Sequence, residues 1–382
     1  MTALSTARPF ATKTRHHAPT SYWIKAFLGV FATALLLCAG TVGAADYRLR
    51  TLADDLRWPW CVAQLPDGSF LITEREGRLL RLYPDGQRSI IDGTPPTLFA
   101  GQGGYFDVAV HPKFADNQLL YLSYAEGTPQ ANGTAVFRGR LQGDRLVNGQ
   151  RILRVKPDKS TPQHYGGRML FVPGGDLLIT SGEGFEHRED AQDKESELGK
   201  VLRIRDTGEP RGVDARFFGE YLRVWTLGHR NPQGIALDHS SGLVYLHEHG
   251  PKGGDEVNVL RKGSNYGWPG VTHGVDYSGA RISPFKQAPG YVDPLWTWVP
   301  SIAPSGLVVY NGNGFPEWRG SLLVGALVDR EVRRLTLRDD EVVGEERLFG
   351  ELNARIRDVR VLGGELYLLT DGEQGSLVHV RP

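Results

Sequence analysis

The chain has 382 residues, 40% of them hydrophobic, with 44 Lys and Arg balancing 44 Asp and Glu and with 48 glycines. That is enough apolar material for a substantial core, and so many glycines call for many tight turns. Balanced charge, with no basic stripe or arginine-rich run, argues against a nucleic-acid partner.

The first 44 residues differ in kind from the rest. Arg8, Lys13, Arg15 and Lys25 are their only charges, and an apolar run from Ala26 through Leu37 ends in the small residues Val42-Gly43-Ala44. This pattern predicts a secretory signal peptide cleaved after Ala44, hence a periplasmic protein; the run is too short to favour a permanent membrane span. Cys38 follows Leu35-Leu36-Leu37 without the small residue expected before a lipidated cysteine, so a lipoprotein is the lesser reading. Cleavage removes four basic residues and leaves 40 Lys and Arg against 44 Asp and Glu, a formal charge of −4. Only Cys61 then remains, which excludes an internal disulfide and reads as a buried residue of an apolar strand.

Beyond the leader one plan recurs six times: an extended apolar segment, a Gly/Asp turn and a second extended segment. In chain order the hairpins are 60–65 with 70–74, 107–110 with 119–124, 168–172 with 176–180, 234–238 with 243–247, 306–310 with 321–325, and 357–362 with 365–370. Third strands follow at 78–82 and 331–335. Short runs rich in Val, Leu, Ile and Tyr, bounded by Gly, Pro and Asp, read as strands. Repeats of this kind, uninterrupted by a linker, predict an all-β, six-bladed β-propeller spanning 45–382, because one sheet cannot bury both faces without its neighbours.

In an up-and-down blade the residues before the first strand meet those after the second. The turns before first strands carry Gln102, then Gln163 and His164, then Arg230 and Asn231, then Ser301, then Arg355 and Arg357. Loops after second strands carry Glu183 and His249-Gly250-Pro251. Glu183 is thereby expected beside His164, nineteen positions away, the arrangement of a histidine base held by a carboxylate. Taken singly, each of these residues reads more simply as a packed turn residue or a solvated face; their common place at one end of the hairpins is what points to a site. It holds no evident nucleophile and no phosphate-cradling motif. Fixed cations with little chemistry of their own suit an anionic cofactor that carries the difficult step.

The stretches Leu65-Pro66-Asp67-Gly68, Gly101-Gln102-Gly103-Gly104, His164-Tyr165-Gly166-Gly167-Arg168, Gly228-His229-Arg230-Asn231-Pro232, Glu248-His249-Gly250-Pro251, Asn265-Tyr266-Gly267-Trp268-Pro269, Pro300-Ser301-Ile302-Ala303-Pro304-Ser305 and Arg355-Ile356-Arg357-Asp358 occur in this order. In them the chain resembles the soluble quinoprotein aldose (glucose/sorbosone) dehydrogenases, which use pyrroloquinoline quinone (PQQ) and calcium, over essentially the whole mature length. The resemblance implies oxidation of an aldose at its anomeric carbon to a lactone, with an electron acceptor the sequence does not identify. It implies that His164 takes the proton of the anomeric hydroxyl as hydride leaves for PQQ. Arg230 would stabilise charge growing on the cofactor, an effect worth roughly 3–4 kcal/mol. It further implies that Gln102, Gln163, Asn231, Ser301, Arg355 and Arg357 hold PQQ, that main-chain oxygens of Gly250 and Pro251 bind its calcium, and that Glu256 and Tyr266 bind a second, structural calcium.

Two departures stand out. Glu183 occupies a position usually held by Asp, and Val328 one often held by a Lys that contacts PQQ; the loss of that cation should weaken cofactor binding or hand its task to Lys252 or Arg330. Two other readings compete: a propeller-type metal-dependent hydrolase such as a lactonase, with His229, His247 and His249 as ligands, and a catalytically silent binding propeller.

Overall fold

The computed structural model describes residues 47–211 and 223–382. The expected leader lies outside the described residues. Among them no helix is long and apolar enough to cross a membrane.

The architecture is six four-stranded antiparallel sheets. The first four blades are Pro59–Gln64, Phe70–Glu74, Arg78–Leu82 and Arg88–Ile90; Tyr105–Val110, Leu119–Thr128, Ala131–Gln142 and Arg145–Arg154; Met169–Phe171, Leu177–Ser181, Lys200–Ile204 and Val224–Leu227; and Pro232–Leu237, Val244–Glu248, Asp255–Leu260 and Trp296–Trp298. The fifth is Pro304–Val309, Leu322–Ala326, Val332–Arg338 and Glu341–Leu348. The sixth takes Ile356–Leu362, Glu365–Thr370 and Gly375–Arg381 from the C-terminus and its outermost strand, Arg48–Leu56, from the N-terminus. The innermost strands touch in a closed ring, each against the next and the sixth against the first. The six predicted hairpins are thus the six inner strand pairs of a β-propeller.

Burial follows position in the blade. Second strands such as Leu177–Ser181 and Leu322–Ala326 are buried at every residue, because neighbouring blades cover both faces, and they read as continuous apolar runs. The outermost Glu341–Leu348 instead alternates exposed and half-buried residues until its end.

Two features of the inner ring prepare a site. In five blades the pairing of first and second strands slips near the start of the first strand, between Pro59 and Cys61, Tyr105 and Val108, Pro232 and Gly234, Ser305 and Leu307, and Ile356 and Asp358. Such bulges turn a side chain out of the sheet. Beneath them a buried charge network ties the inner strands together. Arg168 reaches Asp358 at 3.0 Å, Arg360 reaches Asp107 at 3.0 Å and Asp358 at 2.9 Å, and Asp107 and Asp358 also accept the main-chain N–H groups of Met169 and Val62. Every charge in the network has an opposite partner, the condition for burying it. Cys61 is buried as expected, but its thiol donates to Asp107 rather than packing solely among apolar groups.

Candidate functional site

At the end of the axis where first strands begin lies a cavity of about 600 Å³, a size suited to a small organic ligand. Each blade contributes the residues just before its first strand: Trp58, Gln102, Tyr165, Asn231, Ala303 and Arg355. Arg75, His249, Leu327 with Val328, and Asp371 come from the exits of second strands. The floor is made by Trp60, Phe106, Gln233 and Arg357, which sit in the bulged stretches of four inner strands. The slip in register is what aims them at the axis.

His164 and Glu183 meet as the hairpin geometry predicts, Nδ1 lying 2.8 Å from Oε1. The approach depends on Gly182: a Cβ there would lie 2.2 Å from the carbonyl oxygen of His164, so a larger residue would push the strand exit away. His164 is held at a φ of 47°, a strained conformation for a non-glycine residue, and its N–H donates to Gln102 Oε1 at 2.9 Å. Phe185 packs edge-on against the imidazole and stacks on Tyr277, while Arg188 reaches Asp276 at 3.3 Å. The loops 185–193 and 275–287 therefore join beside the histidine. Burial, with the charges of Arg230 and Lys159 behind it, holds the His164 imidazole well below its ordinary pKa. Burial pushes the Glu183 carboxyl up to about 7 against the pull of Arg230. A neutral imidazole whose Nδ1 is taken by Glu183 has Nε2 left for a substrate.

Arg230 is buried and adjoins this pair: its carbonyl accepts from Glu183 N at 2.9 Å, and its Nη1 donates to the carbonyl oxygens of Gly250 at 2.6 Å and His249 at 3.2 Å. Asn231 Oδ1 accepts from Gly166 N. On the far wall Arg355 and Arg357 share Asp371, each 3.1 Å from Oδ2. Burial alone would raise the Asp371 carboxyl, but Arg357 and Arg355 outweigh it and hold the group below the usual range.

Other predicted residues are placed differently. Gln163 is half-buried and, like His164, Glu183 and Arg230, does not itself line the cavity, whose wall takes their chain neighbours Tyr165 and Asn231 instead. Ser301 donates its hydroxyl to Asp255 at 2.6 Å. Neither Lys252 nor Arg330 lines the cavity in place of a lysine at Val328; Lys252 pairs through its backbone with Val275, and Arg330 reaches Asn353. Glu256 is half-buried beside Glu248, and desolvation and that neighbouring carboxylate push its pKa well up. Beside them, lined also by Tyr266 and Gly250, lies a cavity of about 10 Å³, room for a single ion or water.

The histidines offered as hydrolytic metal ligands are otherwise engaged. His229 bonds Glu248 and Thr226 at 2.8 Å each and stacks on Tyr266; His247 and His249 reach the carbonyl oxygens of Gly306 and Pro304. His247 bridges to the next blade just as the hydroxyls of Thr73, Ser123 and Thr180 do in theirs. Among the described residues no group of three or more His, Cys, Asp or Glu is placed to hold a metal.

Arg75, Asp371, Gln233 and the aromatic floor were missed in the sequence. Arg75 and Asp371 directly follow Phe70–Glu74 and Glu365–Thr370, so the rule that paired Glu183 with His164 would have found them. The floor residues depend on bulges, for which the sequence carries no sign.

A family model for glucose/sorbosone dehydrogenases matches residues 56–379. The chain belongs to that family. The aldose sugar dehydrogenase YliI of Escherichia coli strain K12 is 39% identical over 349 residues, covering 88% of this chain and 94% of its own. A crystal structure of a glucose dehydrogenase superposes with a TM-score of 0.83 at 43% identity, over 87% of this chain and 99% of that one. The PQQ-bound aldose sugar dehydrogenase of Streptomyces coelicolor gives 0.69 at 26% identity, over 88% and 99%. Family membership makes this propeller an oxidoreductase of the glucose/sorbosone dehydrogenase type.

Proposed function

We propose that this protein, exported to the periplasm after loss of residues 1–44, oxidises aldoses at the anomeric carbon to lactones with PQQ and calcium. One observation carries the reading: the His164–Glu183 pair and Arg230 stand together directly behind Tyr165 and Asn231, in the wall of the cation-lined well that all six blades build.

The donor set fits PQQ. Arg75, Arg355 and Arg357 face a single carboxylate, Asp371, across the well, so it carries excess positive charge suited to a polycarboxylate, with Gln102 and Asn231 as neutral donors. Trp58 at the rim and Trp60 and Phe106 in the floor give flat apolar surfaces for a planar ring system. The calcium positions are hard oxygens, as that ion requires: the carbonyls of Gly250 and Pro251, and Glu256 with the carbonyl of Tyr266. The Glu248 carboxylate beside Glu256 favours a cation at the second of these.

PQQ, when bound, supplies the acceptor for the two electrons and hydrogen leaving the sugar's C1. The chain's own residues do the rest. His164 Nε2 takes the proton of the anomeric hydroxyl, and the Glu183 carboxylate steadies the resulting imidazolium through Nδ1. Arg230 supplies a positive charge to the site; its Nη1 donates to the carbonyls of His249 and Gly250, and calcium on the Gly250 carbonyl would displace the second of these bonds and turn the guanidinium away from that oxygen. Phe185 covers one side of the imidazole, and the exposed Tyr277 stacked on it offers an aromatic face to a sugar ring.

The test is reconstitution. Protein purified from a host that makes no PQQ should reduce an artificial dye with aldoses only when both PQQ and calcium are added. Turnover with a metal ion alone would point to hydrolytic chemistry, and cofactor binding without turnover to a silent binding module.

A further inference from the structure

Resting on the PQQ reading, we infer that Arg75 is the third cation of the cofactor site, supplying from the first blade the charge that a lysine at Val328 would have supplied from the fifth. Val328 does line the cavity, but it is apolar, and neither Lys252 nor Arg330 stands in for it. Arg75 lines the same cavity opposite Asp371 and beside Arg357. Its guanidinium is aimed by the loop that carries Gln102: Nη2 donates to the carbonyl oxygens of Gly101 and Gly103, at 2.5 and 3.0 Å, and Nε to that of Gly103 at 3.2 Å. Phe99 covers its other side, with 5.4 Å between the guanidinium carbon and the ring centroid.

None of these partners is anionic. Arg355 and Arg357 are each paired with Asp371, whereas Arg75 forms no ion pair among the described residues. Burial and then repulsion from Arg357, against the pull of Asp371, draw its pKa down to about 10, so it remains charged at neutral pH while the one carboxylate near it is already bonded by Arg355 and Arg357. A half-buried cation held by neutral carbonyls and open to the cavity is a site for an anionic group of a ligand.

The same contacts give Arg75 a positioning effect on Gln102, so the test must separate charge from shape. PQQ and its trimethyl ester are titrated with calcium present into the cofactor-free protein and its Arg75→Met and Arg75→Lys variants, by calorimetry and by quenching of the tryptophans that line the well. Arg75→Met should weaken PQQ binding by about tenfold or more and ester binding much less, and Arg75→Lys should recover most of the difference. Equal losses for acid and ester, or no loss for either, would overturn the inference while leaving PQQ use intact. Failure of the parent protein to bind PQQ would overturn both. If Arg75→Met does not fold, as thermal melting would reveal, the acid-to-ester comparison is made on Arg75→Lys, where intact preference for the acid supports a charge role and its loss contradicts it.

Discussion

At the scale of single residues, the function turns on which nitrogen of His164 carries its proton. When Glu183 is ionised it accepts Nδ1–H and leaves the Nε2 lone pair free. When Glu183 is protonated it donates to Nδ1, the neutral imidazole must carry its hydrogen on Nε2, and it can no longer act as a base. Since burial lifts the Glu183 carboxyl to about 7, turnover should rise with pH through a midpoint near 7. Glu183→Gln should remove that acid limb and lower kcat on the order of a hundredfold. A pH–rate profile of the two proteins checks this; an unchanged limb in Glu183→Gln would assign the titration elsewhere. The pair was legible because strand exit and strand entry lie nineteen residues apart in this hairpin. The same spacing joins His229 to Glu248 one blade on, and letters alone do not separate the two. What separates them is surroundings: His229 has both nitrogens bound and a tyrosine stacked on its face, whereas His164 has Nδ1 bound and no hydrogen-bond partner at Nε2 among the described residues.

Within a blade, the hairpin sets where chemistry sits and the bulge sets where it points. Inner hairpins were legible as apolar runs between turn residues, since both faces are buried. Outer strands such as Arg88–Ile90 and Trp296–Trp298 are three residues long, too short for any periodicity to mark them. The long connections were opaque as well, and the structure gives two of them a role. Phe185 and Tyr277 stack with ring centroids 6.2 Å apart, and the Arg188–Asp276 contact ties their loops beside His164. An aromatic contact of this kind is worth about 0.5–1.5 kcal/mol beyond its area. Tyr277→Ala should therefore raise KM for an aldose roughly three- to tenfold while kcat changes little. Steady-state kinetics decide it, and a fall in kcat at constant KM would show that the tyrosine serves the chemical step instead.

Across the whole molecule, the site exists only if the ring closes. Closure comes from Arg48–Leu56, which pairs with Gly375–Arg381 and buries Ala53 and Leu56. The sequence hid this strand because most of its residues are exposed or half-buried and its partner lies at the other end of the chain. A chain beginning at Arg57 exposes the edge of the last blade and should melt at least about 5 °C lower; an unchanged melting temperature would mean that closure contributes nothing to stability. Closure brings distant turns to a common well, and the central claim is that His164 is the base of that well and not one of its cofactor anchors. The direct measurement is made on His164→Asn, saturated with PQQ and calcium, with cofactor affinity and aldose-dependent dye reduction determined on the same preparation. Affinity within about twofold of the parent and turnover lower by at least about a hundredfold are the expected results. Sugar oxidation at the parental rate would contradict the account.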